Sequence, residues 1–208
     1  MPSLSIPTPS SASRLRPSSP PSARISKLGR AAGDIGLAGL LGGNLFGRFA
    51  LHPTVTEISD PRERGKVVNA AWRRYGTINS LSLLAVTGGW VGARLHESSD
   101  DKLSPVERRL ARAKDVLVGV VAVTGIATAA TGVRFSRTAP DGAVPLRDGD
   151  HAAAQASPQS TRLKRRVNAL GAANMLAEVA LVGVNAALSQ ENFRRPPARR
   201  LLPRLGRV

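Results

Sequence analysis

Four apolar stretches run along the chain, separated by polar and charged segments. Residues 75–93 and 116–133 carry no charge, and residues 167–190 are interrupted only by Glu178. A transmembrane helix needs about 17–25 apolar residues to cross roughly 30 Å of hydrocarbon, so each of these stretches is long enough. Residues 31–47 contain Asp34, which must lie at the interface or be paired inside a bundle if this stretch spans.

The pattern therefore predicts an all-α fold, a four-transmembrane-helix bundle. The predicted spans are residues 31–51, 75–95, 115–134 and 167–189. A disordered N-terminal tail rich in Ser, Pro and Arg is expected over residues 1–30, because it holds too little apolar surface to offset the entropy of folding. The membrane domain should occupy residues 31–190, followed by a basic C-terminal tail over residues 191–208.

Three polar segments carry sequence signals for the start of a helix. Asp60-Pro61-Arg62-Glu63 and Ser104-Pro105-Val106-Glu107 each combine a capping side chain, a proline at the first helical position and a nearby glutamate. Ser157-Pro158 repeats the cap and the proline. The second and third helices should thus begin well before the membrane, and Trp72, Tyr75 and Trp90 are expected at headgroup depth.

The composition supports a membrane environment. Only 3% of the residues are aromatic while 20 are glycine, which suits helices that approach closely in lipid better than a soluble core. The net charge of +16 predicts attraction to a bilayer with anionic headgroups. The distribution of Lys and Arg favours a multi-pass protein of the bacterial plasma membrane with cytoplasmic termini, although Arg162 to Arg166 crowd the opposite side.

Small residues recur at intervals of four along the predicted spans and indicate contacts between helices. The glycines assigned to helix packing are Gly39, Gly43, Gly47, Gly88, Gly92 and Gly132. A competing interpretation starts from residues 83–92, which resemble the strand-to-helix turn of short-chain dehydrogenases. Arg94 stands where the last glycine of that motif is expected, and no Tyr-x-x-x-Lys follows, so helix packing is favoured.

One polar stripe on the fourth predicted span is the candidate site within the membrane. Gly171, Asn174, Glu178 and Asn185 fall within an arc of about 60° on an α-helix. The polar residues that could meet in the bundle are Glu178, Asn174, Asn185, Asn79, Asn44 and Asp34. A buried carboxylate is costly in lipid, so Glu178 is either a proton or cation site or part of a hydrogen-bonded knot between helices.

No residue pattern indicates a catalytic, cofactor-binding or metal site. The chain has no cysteine, which excludes disulfides and thiolate chemistry. Its histidines are not expected to share one metal ion, because His52 and His96 lie beyond different ends of their predicted helices and His151 falls in a polar loop. The basic clusters adjoin the predicted spans and lack aromatic residues for stacking on bases. This arrangement argues against nucleic acid as a partner.

Three features give the chain a family resemblance. Leu51-His52-Pro53 follows a glycine-rich first helix, Trp72-Arg73-Arg74-Tyr75 ends a basic helical linker, and Asn185 lies near the end of the last helix. In this arrangement the chain resembles small four-helix membrane proteins of the anthrone-oxygenase-like and DoxX-like kinds. The resemblance implies the architecture and no catalytic residue.

Three functions remain open from the sequence. The first is a structural or accessory membrane protein that forms a homo-oligomer or joins a membrane complex. The second is a small transporter or proton-linked membrane enzyme that uses Glu178. The third, a soluble basic nucleic-acid-binding protein, requires the apolar stretches to be buried core helices.

Overall fold

The computed structural model describes residues 21–96 and 98–194, and for residues 21–27 and 96 it describes the backbone alone. Four long helices make up most of this part of the chain: α1 (Pro21–Phe46), α2 (Pro61–His96), α3 (Pro105–Ser136) and α4 (Pro158–Arg194). The only strand-like pairing among the described residues is an isolated bridge between Leu146 and Ala152. The predicted all-α class with four helices is confirmed.

The boundary of the predicted N-terminal tail is wrong in its last part. Residues 21–30 were expected to be disordered with the rest of residues 1–30, and they form the first turns of α1. Serine and proline become sparse after residue 22, and the Ala, Ile, Lys, Leu and Arg residues that follow favour a helix. Residues 1–20, and residues 195–208 of the predicted basic tail, lie outside the described residues.

All three predicted helix starts are confirmed. At α3, the Ser104 hydroxyl accepts a hydrogen bond from the backbone N–H of Glu107 (3.2 Å), and the Glu107 carboxylate accepts one from the backbone N–H of Ser104 (2.9 Å). This reciprocal pair satisfies two donors that the first helical turn leaves open. The Asp60 carboxylate and the Ser157 hydroxyl accept from Arg62 and Ser160 in the same way.

The chain leaves α1 through a widened helical turn. A π-helical segment, Gly47–Leu51, leads into the short α-helical turn His52–Thr54 and the 3-10 turn Val55–Glu57. Pro53 has no backbone N–H and its ring crowds the preceding turn, so a regular α-helix cannot continue through this position. The irregular backbone bends the chain toward α2.

The four helices pair as two antiparallel hairpins, α1 with α2 and α3 with α4, while contacts between the hairpins are fewer. The main apolar core lies where the hairpins meet and includes Leu40, Val86, Val121 and Leu181. Contacts between α2 and α3 and between α1 and α4 join the two hairpins. The polar residues described below lie along the second of these seams.

The two interhelical loops at one end of the bundle pack together into what we call the loop cap, residues 47–60 and 137–157. Its backbone is tied by hydrogen bonds from the Leu146 N–H to the Pro61 carbonyl (2.9 Å) and from the Gly149 N–H to the His52 carbonyl (3.0 Å). Val144 and Leu146 are fully buried against a second apolar cluster beneath the cap. The opposite end of the bundle holds the α2–α3 connection and the end of α4.

Two of the four helices, α3 and α4, are long and apolar enough by themselves to cross a membrane, among the described residues. The sequence pattern predicted four such spans. α1 and α2 do not reach the same hydropathy, because α1 is interrupted by Asp34 and many glycines, and the uncharged part of α2 contains many glycine, serine and threonine residues.

Candidate functional site

Glu178 lies at the centre of a hydrogen-bond network that joins the two helical hairpins. Its side chain has no exposed surface. Asn44 Nδ2 of α1 donates to both carboxylate oxygens, at 2.9 and 3.0 Å, and Asn174 Nδ2 of α4 donates to one of them at 2.5 Å. The Asn174 carbonyl oxygen accepts from the Thr124 hydroxyl of α3 (2.7 Å), so one network links α1, α3 and α4.

A second contact continues the polar stripe toward the C-terminal end of α4. Asn185 Nδ2 donates to the Asp34 carboxylate of α1 at 3.2 Å, which connects the same two helices as the bond between Asn44 and Glu178. The Asn185 carbonyl oxygen is buried and accepts no hydrogen bond from the described residues. Asn79, the remaining candidate, is half-buried on α2 and is not among the donors to Glu178.

The candidate packing glycines fall into two groups. A Cβ added at Gly39, Gly43 or Gly47 would meet Ser82, Tyr75 or Trp72 of α2, so these positions on α1 allow close contact within the first hairpin. A Cβ added at Gly88, Gly92 or Gly132 would meet no described atom within 4 Å. These last three therefore lie on the outside of the bundle.

The loop cap contains a polar cluster that the sequence did not indicate. Asp150 accepts from Arg48 Nη1 at 2.6 Å, and His52 Nδ1 lies 2.9 Å from the same carboxylate oxygen. Trp72 Nε1, which can only donate, reaches His52 Nε2 at 3.2 Å. His52 therefore accepts through Nε2 and donates through Nδ1, which is the neutral form of the imidazole.

Two bases in this cluster are shifted toward their neutral forms. Burial lowers the pKa of His52, the positive charge of Lys164 lowers it further, and Asp150 opposes both effects. Lys164, only 4% exposed, lies over the Phe135 ring with Nζ 5.7 Å from its centre. Burial lowers the pKa of Lys164 to about 8, although Asp150 and Asp148 act against the shift. Lys164 belongs to the basic cluster Arg162 to Arg166 beside the last predicted span, and its side chain is buried in the protein.

The aromatic residues expected at headgroup depth also turn inward. Tyr75 donates a hydrogen bond to the Gly39 carbonyl, Trp72 packs edge-on against His52, and Trp90 is only 8% exposed. The indole N–H of Trp90 donates to Asp115 at 2.8 Å, and the Lys114 ammonium lies 4.3 Å from the Trp90 ring centre. All three side chains join neighbouring helices.

Sequence reasoning missed the loop-cap cluster because its members are distant along the chain. Asp148-Gly149-Asp150-His151 is the polar composition expected of a solvated turn, and spacing says nothing of its contact with His52. The glycine is the one available signal, since a Cβ at Gly149 would collide with His52. Within the described part of the chain, no group of three His, Cys, Asp or Glu side chains is placed to hold a metal ion.

Comparison of the chain with models of protein families, with curated proteins and with solved structures finds no match. The resemblance to anthrone-oxygenase-like and DoxX-like proteins therefore stays a prediction.

Proposed function

We propose that this chain is an integral membrane protein with four spans and a structural role, and that it associates with a second copy of itself through α2. The observation that carries the membrane part is the exposure of apolar surface. In the apolar 18-residue segments that qualify α3 and α4 as membrane spans, only 17% and 22% of the residues are buried inside the protein. A helix that is equally apolar in a soluble protein lies in the core, so this surface requires lipid or a partner.

The charges inside the bundle support a structural role. Glu178 and its amide donors are occupied with one another, and their bonds connect helices that otherwise make few contacts. Glu178 does not line the cavity of about 450 Å³ at the end of the bundle opposite the loop cap. These contacts favour the hydrogen-bonded knot over a proton or cation pathway.

The outer face of α2 supports self-association. Leu81, Leu84, Val91 and Leu95 are more than half exposed, and Gly88 lies between them. The spacing of these positions alternates between three and four residues, which is the seam of a left-handed helix pair. In lipid a small residue in such a seam lets two backbones approach, so Gly88 suits a close contact between two α2 helices.

Fractionation tests the membrane location. The protein should stay with the membrane pellet after carbonate and high-salt washes and dissolve only in detergent. Release by either wash would contradict the proposal and favour the soluble basic protein.

Disulfide crosslinking tests self-association, because the natural chain contains no cysteine. Leu84→Cys should give a covalent dimer in native membranes on mild oxidation. Val123→Cys, at an equally exposed apolar position on α3, is the matched control and should remain monomeric. Adding Gly88→Leu to Leu84→Cys should abolish the dimer. Equal crosslinking at both positions, or none at either, would overturn association through α2.

A further inference from the structure

A cavity of about 450 Å³ opens between all four helices at the end of the bundle opposite the loop cap. Its apolar floor consists of core residues, among them Leu37, Val86 and Leu181. Its polar part holds Asp34, Lys114 and Asn185 from three different helices. An apolar floor beneath a polar rim fits an amphiphile better than a fully polar solute.

The acidic side of this cavity is the Asp34 carboxylate. Asn185 Nδ2 donates to one Asp34 oxygen and holds the carboxylate at the cavity wall. The Asn185 carbonyl oxygen is buried in that wall and receives no hydrogen bond from the described residues. A carboxylate that lines the cavity suits a ligand group that is positively charged and carries N–H.

Lys114 and Arg30 are the basic residues that line the cavity, and Lys114 lies against the indole of Trp90. Both Asp34 and Arg30 are near enough to act on the charge of the Lys114 ammonium. Arg94 and Arg112 form ion pairs near this cavity. Among the ion pairs of the described residues, none joins Lys114 to Asp34. Two opposite charges that share a cavity without pairing suit a ligand that carries both charges.

We propose that this cavity binds a zwitterionic amphiphile, with a primary ammonium group on Asp34, a phosphate on Lys114, and an apolar chain on the floor. The inference rests on the proposed membrane location, which brings lipid to the cavity mouth. Asp34, Lys114 and Trp90 lie at the edges of the predicted spans, at the depth of lipid headgroups. A primary ammonium is specified because a quaternary ammonium has no N–H to donate to Asp34.

Lipid retention by the full chain, purified in detergent and measured by native mass spectrometry, tests the site. Phosphatidylethanolamine should bind at least tenfold more tightly than phosphatidylcholine or phosphatidylglycerol with the same acyl chains. Glycerophosphoethanolamine, which has the headgroup alone, should bind much more weakly. Equal binding of this chain-free probe would assign the site to a free solute and overturn the lipid.

Substitutions locate the binding. Asp34→Asn and Lys114→Met should each weaken phosphatidylethanolamine binding at least fivefold. Ala38→Phe, which projects into the cavity and leaves every charge in place, should do the same. Glu63→Gln and Lys66→Met alter an exposed acid–base pair at the other end of the protein and should leave binding unchanged.

Three outcomes would overturn the lipid site: equal retention of the three lipids, unchanged binding in Asp34→Asn and Lys114→Met, or equal losses in the control variants. Because Ala38→Phe changes no charge, it keeps the test valid if Asp34→Asn fails to fold. A chain that needs detergent but shows no lipid preference contradicts this site alone. A chain that is soluble without detergent contradicts the proposed membrane location as well.

Discussion

Glu178 is a carboxylate held by neutral amide donors from two helices, without an ion-pair partner among the described residues. Glu178→Ala should lower the free energy of unfolding by about 1–3 kcal/mol, because it leaves Asn44 and Asn174 with buried donors and no acceptor. Glu178→Gln keeps one acceptor oxygen and should cost less. Thermal unfolding in detergent, followed by tryptophan fluorescence, measures both.

The control for this pair of substitutions is Glu191→Ala on the same helix, where the carboxylate forms an ion pair with Arg194, whose side chain is 77% exposed. This substitution should change the free energy of unfolding by no more than about 0.5 kcal/mol. If Glu178→Gln proved as damaging as Glu178→Ala, the negative charge itself would matter. The transporter or proton-linked enzyme would then regain support over the structural knot.

Lys164 gives a prediction with a defined pH window. Its pKa in the folded protein, about 8, lies below the 10.5 of an unperturbed lysine. Between these two values the unfolded chain binds one more proton than the folded chain, so stability should rise as the pH rises from 8 to 10.5. Below about pH 8 the buried charge carries its full penalty, on the order of 3 kcal/mol.

Lys164→Met removes this charge and keeps most of the side-chain volume. The variant should unfold at a higher temperature than the natural protein at pH 7, by less than the full penalty because the contact with Phe135 loses its cationic part. The difference should shrink toward pH 10. A variant that is less stable at pH 7 would show that Asp150 and Asp148 repay the burial of Lys164.

The residues of the polar stripe illustrate how far sequence reasoning reached. Helical spacing placed Asn174, Glu178 and Asn185 on one face, and the cost of a buried carboxylate suggested partners for Glu178. The sequence pattern could not select those partners, because the angular pattern of one helix does not fix the register of its neighbours. Asn44 and Asn79 were therefore equivalent candidates, and only Asn44 donates to Glu178.

At the scale of the helix, two glycines of α1 have opposite surroundings. A Cβ added at Gly36 of α1 would lie 2.6 Å from the Ser82 carbonyl oxygen and 2.9 Å from the Ala85 Cβ, whereas at Gly42 it would meet no described atom within 4 Å. Gly36 therefore allows α1 to pack directly on the backbone of α2. Gly42 has no such role.

Two alanine substitutions should consequently change stability in opposite directions. Gly42→Ala should stabilise α1 by about 0.5–1 kcal/mol, because alanine loses less conformational freedom in a helix. Gly36→Ala should destabilise the protein by about 1–3 kcal/mol, because the backbones of α1 and α2 must move apart. Unfolding temperatures measured side by side give the sign of each, and a stabilising Gly36→Ala would contradict the packing of α1 on α2.

Helix ends were predictable because their signals are local, whereas membrane insertion depends on the whole helix and its surroundings. The cap at Ser104 needs only Pro105 and Glu107, so sequence sufficed to place the start of α3. Counting uncharged residues put α2 on a par with α3 and α4, and α1 only on the condition that Asp34 lay at the interface or was paired. Mean hydropathy nevertheless separates the two hairpins. The count overlooked how little hydropathy glycine, serine and threonine contribute.

At the scale of the whole molecule, two hairpins are held together by the apolar core between them, by the loop cap at one end and by the polar stripe along α4. The covalent α2–α3 connection adds an ion-pair network at the other end, in which Arg94 binds Asp100 at 2.9 Å and Asp115 at 3.0 Å. The cap includes the backbone bonds of Leu146 and Gly149. We therefore expect the hairpins to remain associated after the connection is cut.

A protease site inserted between Ser99 and Asp100 tests this expectation in the purified protein. After cleavage the two fragments should still elute together in detergent, since the cap and the bonds of Glu178 do not involve the cut loop. Combining Gly149→Val, which forces a side chain against His52, with Glu178→Ala should leave the uncut chain in one piece and let the cut chain separate. Lys66→Met, at an exposed position on α2, should behave like the natural protein. Separation of the natural fragments on cleavage alone would mean that the covalent connection, and not the cap and the stripe, holds the hairpins together.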